Sequence, residues 1–82
     1  MKAIRMTASW CGPCKSLART LVQQGINIEA IDIDENTEMA VKYGIRGVPT
    51  ILILDDDGTE VDRYVGAMPN EAQFTKLKEL SL

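Results

Sequence analysis

The two cysteines of this 82-residue chain, Cys11 and Cys14, lie three positions apart in the segment Trp10-Cys11-Gly12-Pro13-Cys14. This spacing places both thiols on one side of the first turn of a helix, and Pro13 favours a helix start because its missing N–H is not needed there. Unpaired N–H groups and the helix dipole would stabilise Cys11 as a thiolate. Because the thiolate is the form that attacks a disulfide, the pair predicts thiol–disulfide exchange in which Cys11 attacks and Cys14 resolves the mixed disulfide.

The alternatives for this pair are inert core cysteines, half of a metal site, or an iron–sulfur cluster shared by two chains. With two cysteines and no histidine, one chain cannot build a four-ligand zinc site. In the chain-entropy model the small Cys11–Cys14 loop is worth about 2 kcal/mol, against about 3 kcal/mol for a loop of roughly 15 residues. Reactivity therefore explains the pair better than stabilisation. We expect the Cys11–Cys14 disulfide to be the redox group, with no bound metal or other cofactor.

Composition indicates one globular domain over residues 1–82, since 45% of the residues are hydrophobic and 26% are charged. The formal net charge of −3 and the lack of a basic stripe argue against nucleic acid as a ligand. No apolar run is long enough to span a bilayer, and the N-terminal segment lacks the apolar run of a signal peptide. We therefore expect a cytoplasmic protein without membrane contact.

Hydrophobic periodicity and turn residues predict the order β-α-β-α-β-β-α, a mixed four-stranded sheet with helices on both faces. The first strand, helix and strand indicate a parallel crossover, and the run Ile51-Leu52-Ile53-Leu54 indicates a strand covered on both faces. Asn70 and Gln73 predict a capping box for the last helix. The predicted bounds are strands 2–7, 26–33, 51–54 and 59–65, and helices 11–24, 37–43 and one that begins after Asn70.

Three segments resemble the thioredoxin family: Trp10-Cys11-Gly12-Pro13-Cys14-Lys15, Tyr43-Gly44-Ile45-Arg46-Gly47-Val48-Pro49-Thr50 and Val65-Gly66-Ala67. They occur in the family's order and at about its spacing. The resemblance implies an α/β, thioredoxin-like fold and a monomeric enzyme that reduces protein disulfides and is recharged by a thioredoxin reductase or an equivalent dithiol donor. It also implies ribonucleotide reductase as a target. The alternative is a non-catalytic accessory module that uses the same surface, although such a module need not keep both thiols.

The resemblance also implies the substrate-binding residues. Pro49 is expected to be cis and to pack against the cysteines, and the backbone of Val48 is expected to pair with an extended substrate segment like an added strand. A flat apolar surface is expected around the thiols, formed by Trp10, Gly12, Pro13, Gly66 and Ala67. For Trp10 the alternative is ordinary packing at a core edge, and for Gly66 it is a simple turn at the end of a strand.

Arg5 departs from the family pattern. Six residues before the first cysteine, thioredoxins place a buried aspartate thought to assist proton transfer from the second cysteine, and the lysine that accompanies it aligns with Ala30. A positive charge pointing toward the cysteines would stabilise a thiolate. We hypothesise a lowered Cys11 pKa and a resolving step that uses solvent as base. The alternative is that Arg5 reaches solvent and pairs with Glu29 or Asp32 for little net energy.

Overall fold

The computed structural model describes residues 1–66 and 68–82, and its elements follow the predicted βαβαββα order. The elements are β1 (Lys2–Thr7), α1 (Gly12–Gln23), β2 (Glu29–Asp32), α2 (Thr37–Lys42), β3 (Thr50–Leu54), β4 (Glu60–Val65) and α3 (Glu71–Leu80).

The four strands form one mixed sheet in the order β2-β1-β3-β4. β1 pairs with β2 in parallel, and α1 is the crossover that the parallel pairing requires. β3 is antiparallel to both of its neighbours, β1 and β4. The predicted α/β class and the mixed four-stranded sheet are confirmed. This order puts β1, which leads directly into the cysteine segment, in the interior of the sheet.

The two faces of the sheet carry separate cores. On one face, Leu17 and Leu21 of α1 and Leu77 of α3 pack against the sheet in a cluster that also contains Ala3, Ile26, Ile28, Ile51 and Ile53. On the other face, Ile4, Met6, Leu52 and Leu54 form a cluster against which Met39 and Tyr43 at α2 pack. Because neighbouring residues of a strand point to opposite faces, the continuous apolar run of β3 supplies both cores. The prediction of helices on both faces is confirmed.

Helix α1 ends where Gly25 adopts a left-handed conformation, with φ of 71°. The N–H of Gly25 donates to the carbonyl of Val22 at 3.0 Å, and the N–H of Ile26 donates to the carbonyl of Leu21 at 2.9 Å. These two bonds form the motif in which glycine closes a helix and satisfies its last carbonyls. The glycine thus fixes where the chain leaves α1 and turns toward β2.

The predicted strand 26–33 is too long, since β2 spans only Glu29–Asp32. The backbone of Asn27 is instead hydrogen-bonded to the residues that follow α3. Its backbone N–H donates to Ser81 Oγ at 2.7 Å, and its carbonyl accepts the N–H of Leu82 at 2.7 Å. Ile26 and Ile28 are nevertheless buried on the α1 side, although they lie outside the strand.

Candidate active site

Cys11 occupies the N-cap of α1, directly before Gly12. Its extended backbone (φ −92°, ψ 108°) turns the side chain back over the first turn, where Cys11 Sγ accepts the backbone N–H of Cys14 at 3.1 Å. That N–H is one of the donors that the start of a helix leaves without an intrahelical acceptor. The sulfur therefore lies at an amide-rich helix N-terminus, as the motif predicts.

The two cysteines form a disulfide across the first turn of α1, with their Cα atoms 5.2 Å apart. Both are buried, with relative exposures of 4% for Cys11 and 1% for Cys14, so Cys14 is the less accessible of the two. They form a small apolar cluster with Ala8, against which Ile33 and Val48 pack. Ile33 and Val48 also pack against the core on the α2 face, so the sulfur pair adjoins that core at the end of the sheet where β1 leads into α1.

The loop before β3 lies against this sulfur pair. The Val48–Pro49 peptide bond is cis, as the resemblance implies. Cys11 Sγ lies 3.7 Å from the carbonyl oxygen of Val48, a contact rather than a hydrogen bond because a disulfide sulfur carries no proton. Across the described chain, neither the N–H nor the carbonyl of Val48 takes part in a backbone–backbone hydrogen bond. The backbone beside Cys11 is therefore open to a pairing partner.

Trp10 lies exposed next to Cys11, with 67% relative exposure, so the alternative of packing at a core edge is wrong. Its indole Nε1–H donates to Asp34 Oδ2 at 2.9 Å. Gly12 and Pro13 are exposed in the first turn of α1, and a Cβ at Gly12 would meet no atom within 4 Å. Sequence reasoning missed Asp34, because no local pattern links two side chains 24 residues apart.

Gly66 follows the last residue of β4, Val65, which pairs with Thr50. It therefore lies at the same end of the sheet as Pro49, the residue before Thr50. Gly66 has φ of 120°, a conformation that side chains other than glycine's rarely adopt. Ala67, the last residue of the predicted surface, lies outside the described residues.

A polar clamp holds the segment that leads to Val48. Arg63 of β4 donates from Nε and Nη2 to the Glu60 carboxylate, at 2.7 Å and 2.8 Å. The same guanidinium donates to the carbonyls of Tyr43 and Gly44 at the end of α2, and Tyr43 Oη donates to the Gly58 carbonyl at 2.7 Å. This clamp ties the end of α2 to the β3–β4 hairpin. Sequence reasoning missed it, since its members lie up to 20 residues apart.

Arg5 lies half-buried in β1, and its Nε is a buried atom without a hydrogen-bond partner in the described structure. The proposed ion pair with Glu29 or Asp32 is wrong. Glu29 pairs with Lys2 at 3.7 Å, and Asp32 Oδ1 accepts the backbone N–H groups of Asp34 and Glu35. Burial lowers the pKa of the Arg5 guanidinium from its ordinary value because it removes water from the charged group.

No group of three or more histidine, cysteine, aspartate or glutamate side chains in residues 1–66 and 68–82 is arranged to hold a metal ion. Over the same ranges, none of the helices combines the length and the apolar character needed to cross a bilayer.

The geometry defines a class of site. A cysteine pair spans the first turn of a helix, one sulfur accepts a free helix amide, and both sulfurs pack beside a cis-proline loop with an open backbone. A helix N-terminus favours a thiolate and an open backbone admits a partner beside the sulfur, which are the two conditions of thiol–disulfide exchange.

Comparison with known proteins agrees with this class. A sequence profile of the thioredoxin family matches residues 2–79. The SPbeta prophage-derived thioredoxin-like protein YosR of Bacillus subtilis is 40% identical over 80 residues, which cover 98% of this chain and 99% of that protein. Thioredoxin of the same organism is 45% identical over 71 residues, covering 79% of this chain and 67% of the relative. The structure of Malassezia sympodialis thioredoxin has a TM-score of 0.76 and 30% identity, covering 93% of this chain and 73% of that one.

The chain belongs to the thioredoxin family. Members of this family are disulfide reductases, and this chain carries the Cys-x-x-Cys pair of such an enzyme, Cys11 and Cys14, at disulfide distance.

Proposed function

We propose that the protein reduces disulfide bonds of other proteins through the Cys11 and Cys14 dithiol. The Cys11 thiolate attacks one substrate sulfur; a Cys11–substrate bond forms while the substrate disulfide breaks, and the released sulfur takes a proton. Cys14 then attacks Cys11 Sγ, which breaks the mixed disulfide and releases the second substrate thiol. Two electrons and two protons pass to the substrate, and the Cys11–Cys14 disulfide remains.

The hydrogen bond from the Cys14 N–H to Cys11 Sγ, at 3.1 Å, carries this proposal. A donor aimed at a sulfur stabilises its charged form and lowers the thiol pKa. The same turn keeps the Cys14 sulfur within bonding range of Cys11, so the resolving attack is intramolecular and has a high effective concentration. The assignment of Cys11 as nucleophile and Cys14 as resolving residue rests on this placement and on the deeper burial of Cys14.

The proposed substrate surface surrounds Cys11. An extended substrate segment pairs with the open backbone of Val48 beside Pro49, in the manner of an added strand. The lack of side chains at Gly12 and Gly66 lets the substrate backbone approach. Trp10 and Pro13 supply exposed apolar contacts, and the family resemblance adds Ala67.

The proposed partners follow from the Gly-Pro pair between the cysteines, which resembles the reducing members of the family. A thioredoxin reductase or an equivalent dithiol donor returns two electrons to the Cys11–Cys14 disulfide after each turnover. Ribonucleotide reductase is the proposed target among cytoplasmic enzymes, and the protein acts there as a monomer. The redox disulfide is the only electron-carrying group that this cycle needs.

An insulin reduction assay tests the proposal, with dithiothreitol as electron donor and turbidity of the released insulin chains as readout. Wild type is expected to shorten the lag before turbidity, while Cys11→Ser and Cys14→Ser are expected to lose this effect. Cys14→Ser that is reduced beforehand and freed of dithiothreitol should also retain a substrate chain as a mixed disulfide, which non-reducing electrophoresis detects. Activity in Cys11→Ser would reverse the assigned roles, and an inactive wild type that still binds substrate peptides would indicate an accessory binding module.

A further inference from the structure

The sheet register places Arg5 on the face that α1 and α3 cover. In β1, Arg5 lies opposite Ala30 of β2 and Ile51 of β3. Residues opposite each other in a sheet point to the same side, and Ile51 belongs to the cluster formed with Leu17 and Leu21 of α1. The Arg5 side chain therefore lies on the same face of the sheet as the helix that carries the two cysteines.

Along β1, Arg5 lies nearer to the cysteines than to the C-terminal end of α1. Ala3 packs in the cluster that contains Leu17 and Leu21. Arg5 is two residues, or about 7 Å, further toward the end of β1. The chain passes from that end into Cys11, and the buried side of α1 starts with Cys14. Arg5 thus lies between the apolar core and the cysteine end of the helix.

One nitrogen of the Arg5 guanidinium has no partner in the described structure. Its Nε is buried without a hydrogen-bond acceptor, and no carboxylate of the described chain lies within 4.0 Å of its guanidinium nitrogens. Buried polar atoms are nearly always hydrogen-bonded, and leaving one without a partner is costly. This residue is therefore an exception that its own packing does not explain.

The other charged or titratable groups near the cysteine end of the sheet are exposed or hydrogen-bonded. Asp32, on the same face as Arg5, accepts backbone N–H groups of its own turn. The side chains next to the cysteine segment in sequence or by contact are exposed, namely Lys15, Arg19, Asp34, Glu35 and Arg46. On the same face further from the cysteines lie Asp62 and Tyr64 of β4, and α3 adds Glu71, Lys76, Lys78 and Glu79. Among these charged groups of the described residues, Arg5 is the one with a buried nitrogen that has no hydrogen-bond partner.

We propose that Arg5 is a positioning charge that raises the reduction potential of the Cys11–Cys14 disulfide by stabilising the thiolate of the reduced pair. The proposal rests on the proposed function. The disulfide is neutral, whereas its reduction by two glutathione molecules yields one glutathione disulfide and a dithiol that can release a proton. A nearby cation lowers the free energy of that ionised dithiol alone. Arg5 therefore makes the protein a weaker reductant than the same chain with a neutral residue.

The test is the equilibrium between the protein and glutathione, measured by alkylation and mass spectrometry, together with the thiolate absorbance of the reduced protein as pH rises. Arg5→Met keeps the apolar stem, and Arg5→Gln keeps a polar end that can reach water. In both, the equilibrium constant for reduction is expected to fall on the order of tenfold, which corresponds to about 30 mV, and the thiol pKa to rise. Arg5→Lys is expected to have an equilibrium constant and a thiol pKa close to those of wild type.

Arg19→Gln is the matched control, because it removes the same charge from the exposed side of α1. We expect its equilibrium constant to change less than about twofold, since an exposed charge is screened by water and salt. If Arg19→Gln shifts the equilibrium as much as the Arg5 variants, the effect belongs to net charge and the proposal is wrong.

The pH dependence separates a charge effect from a structural one. Below the thiol pKa the reduced pair is neutral, so wild type and the Arg5 variants should have the same equilibrium constant. The ratio of the two equilibrium constants should grow as pH rises through the thiol pKa of wild type, and it should stay constant above the thiol pKa of the variant. A difference that persists unchanged in acid, or no difference at neutral pH, would overturn the proposal. Glutathione is the sole partner in this assay, so a failure to reduce insulin would be a separate result.

Discussion

The indole of Trp10 is hydrogen-bonded to the carboxylate of Asp34, at 2.9 Å, although the ring is 67% exposed. An exposed aromatic side chain without such a bond would sample several orientations. Asp34 is itself held by its backbone N–H, which donates to Asp32 Oδ1 at 2.8 Å. The pair therefore fixes a flat apolar surface beside Cys11 before any substrate arrives, which reduces the entropy lost on binding.

Replacing Asp34 should release that ring. Asp34→Ala removes the acceptor, whereas Asp34→Asn keeps an oxygen in the same place. A hydrogen bond to a charged group is worth about 1.5 kcal/mol or more, so Asp34→Ala is expected to lower kcat/KM for insulin by several-fold to about tenfold. Trp10 is the only tryptophan, and its fluorescence anisotropy should fall in Asp34→Ala and stay close to wild type in Asp34→Asn. Equal anisotropy in all three proteins would show that the bond does not hold the ring in solution.

The two glycines of the proposed substrate surface should respond differently to alanine. At Gly12 a Cβ meets open space, so Gly12→Ala should change the free energy of unfolding by less than about 0.5 kcal/mol. The added methyl group would nevertheless lie where a substrate backbone must approach. Reduction of insulin is therefore expected to slow several-fold while reaction with a small soluble disulfide changes little. Equal slowing with both substrates would argue against backbone approach at this position.

Gly66→Ala should lower the stability of the folded protein. With φ of 120° at this position, a side chain is strained whatever space surrounds it. We expect the free energy of unfolding, measured by urea denaturation, to fall by about 1 to 3 kcal/mol. Unchanged stability would mean that the turn after β4 adopts a different backbone conformation in solution.

The clamp between Arg63 and Glu60 predicts a pH-dependent stability. The hydrogen bond from Arg63 lowers the pKa of the Glu60 carboxyl below its ordinary value, and Glu60 in turn raises the pKa of Arg63. A carboxyl with a lowered pKa stabilises the fold above its unfolded pKa of about 4.3, and that contribution is lost as pH falls through the lower folded value.

Arg63→Ala is therefore expected to lower the free energy of unfolding by about 1 to 3 kcal/mol at neutral pH. The difference from wild type should shrink as the pH falls below about 4. Arg63→Lys is the control, because it keeps the charge but loses the paired donation to Glu60 and the bonds to the carbonyls of Tyr43 and Gly44. A difference that is the same at neutral and acid pH would show that the carbonyl bonds, and not Glu60, stabilise the clamp.

Much of the fold could be predicted because its signals are local. The apolar run Ile51-Leu52-Ile53-Leu54 indicates a strand covered on both faces, Gly25 indicates the end of α1, and the spacing of Asn70 and Gln73 indicates a capping box, which is present with bonds of 2.8 Å and 2.9 Å. The cysteine pair is predictable for the same reason, since its spacing matches one helical turn.

The features that could not be predicted depend on contacts between distant segments. The length of β2 is set by Asn27, whose backbone groups bind the C-terminal residues 54 and 55 positions away. The bonds from Trp10 to Asp34 and from Arg63 to Tyr43 join segments 20 or more residues apart, and neither pair has a periodic signal. Arg5 carries a charge that suggests an ion pair, but its register in β1 puts it on the opposite face from Glu29, which pairs with Lys2.

The rate at which each thiol of the reduced protein is alkylated, followed by mass spectrometry as a function of pH, tests the central claim most directly. We expect Cys11 to react first, with a midpoint well below the ordinary cysteine pKa of about 8.5, because the Cys14 N–H and the start of α1 stabilise its thiolate. Cys14 should react more slowly at every pH. A Cys11 midpoint at or above the ordinary value, or faster alkylation of Cys14, would contradict the account.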